Sequence, residues 1–542
     1  MQVSPPLSQS GTTTKASWLG AAGICLLFIA LRWNSYDAPL IRDEGEYAYS
    51  AQLLRQGLPP YQYSFVQKPP MVIYTYALAN LLAPHVFWFP RVLAYLFVSL
   101  ATILLGWIVR VEFGAGLALP AMWLFTAMVV LPKIVEFTAN TEMFMLLPLM
   151  GVIALYVAAH VSLPVGSALK HLRGSNLATW GLAGFLSAAT LLYKYTALPV
   201  LAMIWVTWSI RHWRAVRNVG SLCRCWFFSL LGASAATAAA LAFFLIHDGG
   251  KHFWECTVVF NRFYAASSTF GLLRLWSCLK ILWADWWLLF LLPWILLIKS
   301  RRKVWFWIAM FSVAWVSTGA SSYSQYYIIV MPFWALVAAV AINRLGSWIS
   351  ARFSWPQSWL RRLITAVVVA FVCLPHLSSI RHSKEQFVAE MMRGYPFPES
   401  ATVARRVAQL SSALDYVFVA GSEPQILYYS KRLSPTRFVI MYPLTIPTPL
   451  AQGYQREVIA DLERHPPGVI VTVEDSTSWL VKENSPVEFA GYLEKLLRTR
   501  YDGVGGYVPG AQRGRWQEPM SREDAQKASL LLFRRRSEQP SK

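Results

Sequence analysis

The 542-residue chain is 56% hydrophobic and only 14% charged, whereas a soluble globular chain carries about 25% charged residues. That balance excludes an ordinary soluble enzyme and points to a polytopic α-helical membrane protein. The formal net charge of +21 does not imply nucleic acid, because much of it falls in short loops between apolar runs, where it reports topology.

The polar residues 1–16 read as a cytoplasmic tail. The apolar run after them has no small-residue cleavage pattern, so it is expected to stay as an anchor. Segments long enough to span fall near 17–33, 89–110, 115–131, 142–162, 177–193 and 196–210. Others fall near 226–246, 281–299, 304–320, 327–345 and 362–380, about eleven transmembrane helices in all. The pair 177–193 and 196–210 could equally be one broken helix. Loops 163–176, 211–224, 299–303 and 343–362 hold lysines and arginines and no acid, which places them in the cytoplasm. Loops 34–88, 132–141, 247–280 and 321–326 then face outward, together with the C-terminus.

The first outer loop is too patterned to be slack. Tyr47, Ala51 and Leu54 recur at helical spacing until Gly57-Leu-Pro-Pro60 ends the run. Pro69-Pro70 can open a second helix, running to about Leu82 and closing near Pro84. Two interfacial helices fit this pattern. From about 381 the texture becomes polar, with apolar runs at 416–419, 437–440 and 468–472 and helical stretches at 398–413 and 453–465. That rhythm predicts a small α/β domain over 381–542, outside the membrane, following a transmembrane domain over 17–380. The tail 503–528, rich in Gly, Arg and Gln, reads as loop. The six cysteines show no metal-ligand spacing.

Chemistry concentrates in the first outer loop. Asp43, Glu44 and Glu46 are costly at the mouth of an apolar bundle unless they act. Sugar transfer from a phosphate-linked donor needs a carboxylate to take the acceptor's proton, and Asp43 with Glu44 are the catalytic candidates. It also needs a cation for the departing phosphate, which Lys68 supplies unless it merely snorkels to the headgroups. Tyr47, one helical turn from Asp43, could face the same pocket or belong to an aromatic belt. Asn140 and Glu142, in Glu136-Phe-Thr-Ala-Asn-Thr-Glu142, could bind substrate or only cap the helix that follows. Lys194 and Arg262 are further candidates for an anionic lipid phosphate. The hydroxyls of Ser321-Ser-Tyr-Ser-Gln-Tyr-Tyr327 could line the pocket. No nucleotide-binding glycine loop and no H-E-x-x-H motif occurs.

Arg42-Asp-Glu-Gly-Glu-Tyr-Ala-Tyr49 followed by Gln67-Lys-Pro-Pro70 resembles the first outer loop of the bacterial C-type membrane glycosyltransferases. These include the protein O-mannosyltransferases, the aminoarabinose transferases and the rhizobial lipopolysaccharide galacturonosyltransferases. The likeness covers roughly residues 17–345, and Gly421–Ser430 looks like the outer C-terminal domain that some members carry. It implies a donor sugar on a polyprenyl phosphate, inverting transfer, and an acceptor lipid, glycan or protein in the cell envelope. Asp43 matches the catalytic aspartate, Lys68 the phosphate-contacting lysine and Tyr47 a pocket tyrosine. The chain departs from the aminoarabinose transferases at Asn140, where they place an aspartate, and at Glu46, where they place an arginine. No cofactor is expected; the acids would also suit a divalent cation, for which no ligand spacing speaks. The rival readings are a flippase for lipid-linked sugars and a polymerase or ligase using a diphosphate-linked donor.

Overall fold

The computed structural model describes residues 12–131, 137–161, 177–267, 286–297, 302–318, 324–510 and 514–536, together with positions 276, 280 and 283. The membrane part is a helical bundle. Its helices are α1 (Thr12–Ala30), α4 (Phe89–Phe113), α5 (Ala118–Val129), α6 (Thr141–Val161), α7 (Leu177–Tyr193) and α8 (Leu198–Val216). They continue with α9 (Val219–Ile246), α10 (Phe260–Ser267), α11 (Arg302–Ser317), α12 (Met331–Phe353) and α13 (Gln357–Cys373). Between α1 and α4 the first loop folds into α2 (Arg42–Arg55) and α3 (Met71–Leu82).

Proline opens α4, α8 and α12 in their first turn, where its missing N–H leaves no bond unmade. Five helical stretches, Phe89–Phe113, Thr141–Ala159, Val219–Ile246, Met331–Phe353 and Gln357–Arg381, are long and apolar enough to cross a membrane. Shorter apolar helices lie over Gly20–Ala30, Ala115–Val129, Leu177–Tyr193 and Lys303–Ser317. The chain is therefore a multi-pass membrane protein. Residues 177–193 and 196–210 belong to two helices, because the extended backbone of Lys194 and a 3-10 turn over Tyr195–Ala197 part them. Helices α7 and α9 meet backbone to backbone, Gly184 against Ser229 and Gly232 against Gly181, where no side chain would fit.

The C-terminal part carries α14 (Lys384–Met391), α15 (Phe397–Leu410), α16 (Gln425–Ser430), α17 (Ala451–Arg464), α18 (Glu488–Arg500) and α19 (Arg522–Lys527). Its strands are β1 (Val417–Ala420), β2 (Val469–Val473), β3 (Tyr501–Val508), β4 (Arg515–Gln517) and β5 (Leu530–Arg535). They form one mixed sheet in the order β1-β2-β5-β3-β4. The first pair is parallel, joined by a helical crossover, and the other pairings are antiparallel. The structure corrects two expectations. Residues 437–440 form no strand; Phe438 instead stacks on Phe65 of the first loop with ring centroids 5.4 Å apart. Residues 503–528 contain strand and helix rather than loop, because the missing side chains of Gly505 and Gly506 let Gln517 and Met520 close over β3.

Helix α2, expected to lie flat in the interface, is buried within the protein on both of its sides. Tyr47, Ala48 and Ala51 enter the core of the bundle, while Tyr49 and Leu53 enter the core of the sheet domain beside Val417, Val419 and Ile426. The Tyr49 hydroxyl accepts the Ser434 N–H at 2.9 Å. Gly45 makes the docking close: a Cβ there would lie 2.6 Å from the Gln425 amide nitrogen. One amphiphilic helix thus joins two cores, and its N-terminal turn is left at the seam.

Candidate active site

At that seam lies a cavity of about 370 Å³. Ile41, Arg42, Asp43 and Glu46 line it from the start of α2, and Gln67 with Lys68 from the loop before α3. Phe137 and Thr138 form another wall, and Tyr264, Gln325 and Tyr326 come from the later bundle. Met391, Met392, Tyr395 and Phe397, beside Ile440 and Tyr442, close it from the C-terminal side. The cavity therefore needs both halves of the chain.

Two kinds of charge surround it. Glu44 is fully buried and turned away from the cavity into a closed set of bonds. Arg91, at the start of α4, donates from Nε to Glu44 Oε1 at 2.8 Å and from Nη2 to Oε2. The same guanidinium donates to the carbonyls of Ala38 at 2.6 Å and Pro39 at 3.0 Å. Glu44 Oε1 also accepts the Ala139 N–H at 2.8 Å, which holds the Phe137–Thr138 wall against α2. Glu44, expected as a catalytic candidate, does not line the cavity, and its oxygens accept from Arg91 and from the Ala139 and Ile41 N–H groups. Arg42 is engaged as well. Its Nε donates to the Ser422 carbonyl at 2.6 Å and its Nη2 to the buried Glu423 at 2.7 Å, tying α2 to the sheet domain.

Asp43, Glu46 and Lys68 are different. The loop around Lys68 is pinned: Tyr61 donates to the Lys68 carbonyl at 2.9 Å, and Asn261 to that of Gln67 at 2.7 Å. Its ammonium, however, makes no hydrogen bond or ion pair among the described residues. Burial works against that charge, but Asp43, with Tyr326, Glu46 and Glu142 behind it, more than offsets the loss and holds the pKa above the ordinary lysine value. Burial, reinforced by Asp43 and opposed by Lys68, pushes the Glu46 carboxyl up to about 8.

No protein-family model and no curated protein matches the chain. Solved structures do. ArnT from Cupriavidus metallidurans in the apo state superposes with a TM-score of 0.51 at 14% identity, over 96% of this chain and 98% of that one. The chain has the ArnT fold. The Archaeoglobus fulgidus oligosaccharyltransferase tethered to an acceptor peptide also matches, with a TM-score of 0.50 at 10% identity, over 94% of this chain and 75% of that one. ArnT bound to undecaprenyl phosphate matches with a TM-score of 0.49 at 15% identity, over 97% and 98% of the two chains. These neighbours are C-type membrane glycosyltransferases, the group that the loop motif resembles.

Within this ArnT fold the other expected residues scatter. Tyr47 is fully buried and does not line the cavity; it lies edge-on to Tyr76 with centroids 5.5 Å apart. Glu46, not Tyr47, is the α2 residue a turn from Asp43 that reaches the cavity. Glu142 is paired with Lys194, so neither charge is offered to the cavity. The pair borders the site at Tyr326, whose ring centroid lies 3.2 Å from the Lys194 ammonium. Asn140 is buried at the start of α6, behind the wall it follows. Arg262 is exposed on α10, while Tyr264 takes the lining position, as residues two apart on a helix face different ways. Of 321–327, Gln325 and Tyr326 line the cavity; Ser321, Ser322 and Tyr323 lie outside the described residues, as does Glu136. Sequence reasoning missed Arg42, Tyr395, Phe397 and Tyr442. Only Arg42 had a signal, its place inside the motif. Among the described residues, no group of three or more His, Cys, Asp or Glu could hold a metal ion.

Proposed function

We propose that the chain is an inverting glycosyltransferase that moves a sugar from a polyprenyl-phosphate donor to an acceptor hydroxyl. The carrying observation is that Asp43 and a Lys68 ammonium unpaired among the described residues line one cavity in a protein with the ArnT fold. Asp43 takes the acceptor's proton as its oxygen attacks the anomeric carbon; the bond from that carbon to the phosphate oxygen breaks, and Lys68 holds the polyprenyl phosphate that leaves. A single displacement inverts the anomeric centre. The acceptor is a lipid, glycan or protein of the cell envelope, and no separate cofactor enters the scheme. The basic loops support a bacterial inner-membrane protein of about eleven spans over 17–380, with a cytoplasmic tail over 1–16. The cavity and the 381–542 domain then lie on the outer face.

The test is the reconstituted protein with a polyprenyl-phosphate sugar. Asp43→Asn should lower the transfer rate by about 10²- to 10⁴-fold with folding unchanged, and Lys68→Ala by about 10²-fold. Mass spectrometry of the spent lipid should show the monophosphate. Sugar crossing the bilayer without transfer would support a flippase instead, and a diphosphate product a polymerase or ligase.

A further inference from the structure

Glu46 has no part in the transfer just described, yet it lines the same cavity, three residues along α2 from Asp43 and so on the same side of the helix. It is 3% exposed, and its Oε1 is buried with no hydrogen-bond partner among the described residues. A buried carboxylate in that state carries a large desolvation penalty; a carboxylic acid carries a far smaller one and has a proton to give. The contrast with Glu44 is direct, since that buried acid meets a guanidinium and two backbone N–H groups.

We propose that Glu46 works as a protonated acid that donates a hydrogen bond to a substrate oxygen beside the Lys68 ammonium. Lys68 on the adjoining loop and Asp43 on the same helix are the charges that act on it, and its own charge is felt by Tyr47, Tyr61 and Cys256. Lys68 is the nearby cation that favours the ionised form. Once an anionic phosphate settles on that ammonium, its pull on Glu46 is neutralised and a second negative charge is added. Both changes favour the acid, so donor binding and protonation of Glu46 reinforce each other. A carboxylate there would repel the phosphate; the acid binds an oxygen of the donor instead. The inference rests on Lys68 as the phosphate-holding residue.

The experiment uses the full chain in lipid nanodiscs with a polyprenyl-phosphate sugar, from about pH 6 to about pH 9.5. Wild-type kcat/KM should fall as pH rises through about 8. Glu46→Gln, which keeps shape and a donor but cannot ionise, should stay within about threefold of wild type near neutrality and lose that alkaline fall. Glu46→Ala should lose about tenfold at neutral pH, mainly through a raised KM for donor. Sugar-free polyprenyl phosphate separates the two oxygen sources: weaker binding to Glu46→Ala assigns the bond to phosphate, unchanged binding assigns it to the sugar. A Glu46→Gln variant as impaired as a folded Glu46→Ala overturns the proposal, because a charged carboxylate would then be required. Wild-type behaviour of Glu46→Ala overturns it equally. A failure here shows in how the Glu46 variants compare with wild type and leaves the need for Asp43 intact, so it is distinct from a fully active Asp43→Asn, which would sink the transferase reading itself.

Discussion

Two charged clusters flank the first turn of α2. On one side Glu44 and Arg91 are both fully buried, and each spends its polar atoms on the other and on backbone groups. On the other side Asp43, Glu46 and Lys68 face a shared cavity, with the lysine ammonium unpaired among the described residues. The residues are neighbours in sequence and alike in type, and their burial is similar for Glu44 and Glu46. What separates them is whether the bonding around each is complete. A closed cluster holds walls together; an open one leaves charged side chains facing the cavity.

Breaking the closed cluster should have the largest effect on the fold. Arg91→Met strands Glu44 without a counter-ion and should cost about 3–5 kcal/mol, read as early thermal melting in detergent. A stable Arg91→Met protein would remove the distinction between the clusters. Next comes the contact that brings the sheet domain onto α2. Gly45→Val forces the helix away from Gln425 and should cost about 1–3 kcal/mol. Limited proteolysis should show it as faster cleavage within the C-terminal domain, with the bundle intact.

The smallest change should come from the open cluster and should have the opposite sign. The folded-state pKa of Glu46 is raised from 4.5 to about 8, so the fold binds this proton more tightly than the unfolded chain does. The stability that this proton contributes is full below about 4.5 and is lost as pH rises through about 8. Gln does not titrate. Glu46→Gln should therefore melt higher than wild type by about a few degrees near pH 8.5, with a smaller gain near pH 6. Equal melting at both values would mean that the carboxyl has found a partner in solution.

Much of this was legible along the chain because it depends on local pattern. Twenty-residue apolar runs make helices wherever they occur, and the prolines and glycines of the first loop bound α2 and α3 within a residue or two of the expected ends. Asp43 and Lys68 stood out because charge beside a membrane span demands a reason. The pairing of Glu44, Glu142 and Lys194 was not legible. Their partners lie 47 and 52 residues away in sequence, and nothing local distinguishes an acid that will be paired from one that will not. The same holds for the cavity wall that Tyr395, Phe397 and Tyr442 supply from beyond the bundle.

By itself the sequence determined a helical membrane protein, the helices of its first loop, and the acid and the lysine most worth testing. Only the tertiary structure decided which charges are spent on the fold and which are left facing a cavity. The reason is physical: helix formation follows from neighbours along the chain, whereas satisfaction of a buried charge depends on atoms that folding brings from elsewhere.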